Sequence, residues 1–136
     1  MTDQLERIRA SFENFPAASA EACANLRKSF SSFALDQYVA LLLQTNGLGE
    51  AFAEGDQRFV HNMLIVPLEE AIEESERAFR GDVLVIGRPG VDGILFVLKP
   101  TDPSVYAYYP IDSGFLKLAP SLEDFLVAYT LGTVRL

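Results

Sequence analysis

Between residues 82 and 118 four apolar runs, at about 82–87, 93–99, 104–110 and 115–118, follow one another with only short Gly, Pro and Asp clusters between them. Such clusters are turn chemistry. Strands joined by turns this short must run antiparallel, because a parallel pair needs a crossover of about a dozen residues. The second half of the chain is thereby restricted to a meandering sheet. Within it, both runs of VLVIGRPGVDGILFVLKP (83–100) are apolar on both faces. A strand with one wet face alternates, so this segment predicts central strands covered on both sides.

The loop GRPGVDG (87–93) raises a second possibility, because a glycine-rich loop can cradle a phosphate. That use requires the loop to open a helix, whose free amides and dipole face the anion. Nucleotide loops also carry GK[ST], or GxGxxG with a later acid. Here the spacing is GxxGxxG, no Lys-Ser/Thr follows, and ILFVLK reads as a strand. The loop is read as a hairpin turn whose glycines supply positive φ.

The rest of the chain is mostly helical in pattern. Leu5, Ile8, Phe12 and Phe15 predict a helix over 3–15, interrupted by Pro16. Ala22, Leu26 and Phe30 predict a second over 17–30, with a break at 31–33. Leu35, Tyr38, Val39, Leu42 and Leu43 predict a third over 35–46, closed by Asn46-Gly47. Residues 48–57 read as a polar loop and 58–66 as a strand. Pro67 opens LEEAIEESERAF, with Leu68, Ala71, Ile72, Ser75 and Phe79 on one stripe. Ser121 is the N-cap of a last helix that turns Leu122, Phe125, Leu126 and Tyr129 inward and stops at Gly132. This order predicts an α+β fold: a mainly antiparallel meander sheet with helices before, within and after it.

A length of 136 residues predicts one domain over 1–136. The 19 Asp and Glu outnumber the 11 Lys and Arg, for a net charge of −8. That disfavours nucleic acid and anionic membranes, which are bound through cations. It favours a basic protein partner, or serves solubility alone. Cys23, the only cysteine, can form no internal disulfide and fits a reducing compartment. The N-terminus lacks a signal-like apolar stretch, and no apolar run approaches a membrane span. The expectation is a soluble cytoplasmic protein.

No catalytic set stands out. His61 is the only histidine; its alternation neighbours Phe59, Met63 and Ile65 predict a partly buried, satisfied ring. A zinc site takes four ligands, mostly His and Cys, and one of each is too few. No cofactor or metal is expected. Asp56, Asp82, Asp92, Asp102 and Asp112 fall at predicted turns. A hydrolase reading would need two carboxylates converging in a pocket with one pKa raised.

Two clusters remain. Glu69, Glu70, Glu73, Glu74 and Glu76 put five acids in eight residues, opposite the apolar stripe of their helix. They make either a solvated face or a negative patch for a basic surface. Tyr106 and Tyr108 share one strand face, with Val105, Ala107 and Tyr109 on the other. Tyrosine is enriched at interface hot spots, although packing under the chain's own helices would also explain the pair. Glu69, Glu70, Glu73, Glu74, Tyr106 and Tyr108 are the candidate partner-binding residues.

LDQYVALLLQTNG (35–47) resembles the helix-plus-NG segment of SUKH-superfamily domains, the SMI/KNR cell-wall-regulator family. VLVIGRPGVDGILFVL (83–98) resembles their IG-containing glycine hairpin, and SVYAYYPIDSGFLKLAPSLEDFLVAY (104–129) their closing strand-and-helix segment. The likeness runs from about residue 22 to 132. It implies helices packed on a mainly antiparallel sheet, and no catalysis. It also implies action by binding a protein. Many bacterial members resemble immunity proteins that neutralise polymorphic or contact-dependent toxins, often nucleases. Eukaryotic relatives resemble regulators of the cell wall and of signalling. The binding surface varies among members, so the resemblance assigns no site residue.

Overall fold

The strand-forming segments come together in one sheet whose spatial order is the order of the chain. The structure, a computed structural model, describes residues 2–136. The strands are β1 (Glu13–Asn14), β2 (Leu48–Glu54), β3 (Gln57–Ile65), β4 (Leu84–Gly87), β5 (Leu95–Lys99), β6 (Asp102–Tyr109) and β7 (Gly114–Ala119). Each pairs antiparallel with the next. Around them lie α1 (Thr2–Ala10), α2 (Ala20–Ser29), α3 (Asp36–Leu42), α4 (Leu68–Phe79) and α5 (Leu122–Thr130). The fold is the expected α+β meander.

The glycine loop is a turn between β4 and β5. Gly90, Asp92 and Gly93 have φ of 87°, 54° and 69°, and the Ile94 amide donates to the Val91 carbonyl at 3.1 Å. Both strands are covered on both faces, as their unbroken apolar runs require. On one face Leu84, Ile86, Phe96, Leu98 and Val105 join the main core, where Phe125 of α5 meets Phe96 edge-on at 4.7 Å. Burying a ring such as Phe96 contributes about 1.5–3 kcal/mol. On the other face Val85 and Val97 are buried as well. Leu68 and Ala71, in the first turns of α4, belong to the main core. Its last residue, Phe79, reaches the second face and meets Tyr108 at 4.9 Å.

β3 touches β4 at a single residue pair, Ile65 with Gly87. Two hydrogen bonds flank it, Val66 N–H to Ile86 at 2.9 Å and Arg88 N–H to Leu64 at 3.1 Å. A Cβ at Gly87 would overlap the Leu64 carbonyl, so only glycine fits the crossing.

Four expectations about secondary structure need correction. Residues 48–54 form β2, held by pairing with β3, not a polar loop. The first helix stops at Ala10, because the Asn14 side chain donates to the carbonyls of Arg9 and Phe12 at 2.7 and 3.0 Å and turns the chain. The second starts at Ala20, where Ser19 Oγ accepts the Ala22 amide at 3.0 Å and fixes the N-cap. The third ends at Leu42, so Leu41 is buried and Leu43 is exposed.

Candidate functional site

The glutamate helix is positioned by the loop that precedes β2. Asn46 Oδ1 accepts the Leu68 amide at 2.8 Å, capping α4, while its Nδ2 donates to Glu69 at 3.1 Å. Gly47 holds this loop at φ 115°, and a Cβ there would press on the Ile65 carbonyl. Thr45 locks it from inside, accepting the Phe15 amide at 2.8 Å and donating to the Gly47 carbonyl at 2.7 Å. The sequence TNG is thus a helix-capping device.

Along α4 the apolar stripe is as expected, with Leu68, Ala71 and Ser75 buried. The acids opposite are not equivalent. Arg88, from the β4–β5 turn, hydrogen-bonds Glu70 and lies 3.8 Å from Glu74, which also sits 3.6 Å from Arg77. Glu70 and Glu74 are therefore largely neutralised within the protein. Glu69 and Glu73 are exposed, and among the described residues neither has a basic side chain within 4.0 Å. Sequence spacing gave no sign of Arg88, because the pair joins a turn to a helix 18 residues away.

Tyr106 and Tyr108 stand on the second sheet face, both half-buried. Tyr108 is clasped between Phe79 and Phe115, at 4.9 and 5.0 Å. It joins the end of α4 to the open part of the sheet. Tyr106 differs. Its hydroxyl donates to Asp102 at 2.5 Å, and Lys99 Nζ sits over its ring at 4.1 Å and over Phe115 at 4.5 Å. Lys117 is its cross-strand partner on β7. The hydroxyl and the Ser104 amide hold the Asp102 carboxyl down at about 2. The same bond to Asp102 raises the Tyr106 phenol. Tyr108 thus adjoins the last residue of α4, and Tyr106 lies beside Lys99 and Lys117.

Glu50 ties the sheet to α5. Its Oε1 accepts from Tyr129 at 2.9 Å and from Asn62 at 3.0 Å, while Asn62 also donates to the Arg88 carbonyl at 2.7 Å. Burial, then the Glu50 bond, raises the Tyr129 phenol. Cys23 is buried as a small core residue, and burial raises its thiol. His61 is not partly buried as expected. It is exposed on the projecting β2–β3 hairpin, its ring 5.7 Å from Phe52, which stacks on Phe59 at 5.5 Å.

A cleft of about 320 Å³ lies between α3 and the start of α5, lined in part by Arg27, Asp36, Gln37 and Ser121. Its two charges pair with each other at 3.2 Å. Among the described residues no three His, Cys, Asp or Glu side chains are grouped to hold a metal ion, and no helix is long and apolar enough to cross a membrane.

The sequential antiparallel sheet, its helix-covered core face and its half-covered second face define an α+β meander fold. Residues 17–128 match the model of the SMI1 / KNR4 family (SUKH-1), and the chain belongs to that family. Comparison with curated proteins finds no match.

Proposed function

We propose that this chain is a non-catalytic protein-binding domain of the cytoplasm. In this reading it is an immunity protein that occupies a basic toxin domain, a nuclease being the class such charge suits. The observation that carries the reading is the outward face of α4, where Glu69 and Glu73 stand exposed and, among the described residues, free of basic partners. Family membership supports it. Glu70 and Glu74 contribute by holding Arg88, and Tyr108 supplies a rigid aromatic anchor. Tyr106 stands on the same sheet face as Tyr108.

Free carboxylates at an interface rim steer association and make it salt-dependent. The test is binding to the toxin domain encoded beside this chain. Glu69→Lys with Glu73→Lys is expected to weaken it about tenfold or more, with most of the loss in the association rate. Unchanged affinity would remove the electrostatic mechanism, and no binding to such a toxin would remove the immunity reading. The opposite charge beside Tyr106 favours a second reading, a regulatory scaffold that holds a non-toxin partner. A growth phenotype on deletion, in cells with no toxin gene nearby, would support it.

A further inference from the structure

β7 is the last strand of the sheet, so one edge of its backbone has no strand beside it. We propose that this edge takes up an extended segment of a partner protein, one that alternates acidic and apolar residues, as an eighth strand. An unpaired edge offers a row of amides and carbonyls that an extended peptide can complete. Side chains on the two sides of β7 give the specificity. Phe115 and Lys117 point to the second face, with Tyr106 and Tyr108 as their cross-strand neighbours. Leu116, opposite the buried Ala107, points to the core side yet is 45% exposed.

Charge selects the occupant. The protein carries eight more acids than bases. Even so, among the described residues neither Lys99 nor Lys117 has a carboxylate within 4.0 Å. Lys99 lies over both Tyr106 and Phe115, which leans its ammonium toward the β7 edge. A second copy of this chain paired edge to edge with Lys117 opposite Lys117 would set like charges together, which is destabilising across a strand pair. A strand with Asp or Glu beside Lys117 removes that repulsion, and an apolar residue beside Leu116 covers it. The site borders the end of α4 at Tyr108, which touches both Phe79 and Phe115, and differs from the glutamate face in sign.

The probe is a labelled peptide of repeating Glu-Val, about eight residues long to match a strand, titrated into the full chain. Binding is expected, with amide shifts concentrated in Gly114–Ala119 and with at least about tenfold loss in Lys117→Glu. Glu73→Lys should leave the affinity unchanged, which separates this site from the proposed toxin surface. A Lys-Val peptide that binds equally well would overturn the proposal. Shifts absent from β7, or full affinity in Lys117→Glu, would also overturn it. A doubling of mass in sedimentation, with the Gly114–Ala119 amides protected in the dimer and no peptide displacing it, would assign the edge to a second copy instead.

Discussion

Ser75 Oγ accepts the Val85 amide at 2.7 Å and donates its proton to the Ala71 carbonyl at 2.6 Å. A helix side chain thereby satisfies a backbone amide of the central strand, inside a site with no exposed surface on Ser75. Ser75→Ala would leave the buried Val85 amide without a partner. The expected loss is about 1–3 kcal/mol of unfolding free energy, read by chemical denaturation. A change below about 0.5 kcal/mol would mean that the amide finds another acceptor.

Tyr38 presents the opposite case. Among the described residues its hydroxyl is the buried side-chain polar atom with no hydrogen-bond partner, and burial raises its pKa further above the usual phenol range. Tyr38→Phe removes an unsatisfied group and keeps the ring. Stability is expected to hold or rise by up to about 1 kcal/mol, seen as an unchanged or higher melting temperature. A clear drop would show that the hydroxyl is hydrated or paired in solution.

Gly87→Ala and Gly55→Ala should part company. At Gly87 the new methyl meets the Leu64 carbonyl at the β3–β4 crossing, whereas at Gly55 it meets open space at φ 63°. The first is expected to cost about 3 kcal/mol or more, since backbone must move. The second carries only the left-handed penalty of about 1–2 kcal/mol. Similar melting temperatures for the two variants would contradict the crossing geometry.

Asp102 sets a pH dependence. Its folded-state value of about 2 lies below the roughly 3.9 of an unfolded aspartate. A depressed folded value means that the ionised group's contribution is complete above about pH 4 and disappears as the pH falls toward 2. Tyr106→Phe removes the principal donor, so the Asp102 midpoint should rise toward its unfolded value in a carboxyl NMR titration. A midpoint that stays put would assign the effect to the Ser104 amide alone.

The hairpins from β4 to β7 were legible because short turns between apolar runs leave no alternative to antiparallel pairing. Segment 48–54 was not, because LGEAFAE has little β-branched character and becomes a strand only by lying beside β3. Phe12 and Phe15 keep helical spacing, yet the Asn14 side chain ends α1 before them. Their spacing matched two geometries, and a hydrogen bond decided. The candidate residues were read from composition as two clusters. Arg88, Lys99 and Lys117, which set the charge of each cluster, come from other elements, and one-dimensional spacing carries no trace of them.

Because every strand lies beside its neighbour in the chain, most of the sheet can zip up through successive short closures. The packing of α1 against α5 is different, joining segments more than a hundred residues apart. Such a closure carries the largest entropic cost and the fewest local contacts to offset it. The helix at the start of the chain is therefore expected to be the last piece to dock during folding and the first to exchange its amide hydrogens with solvent.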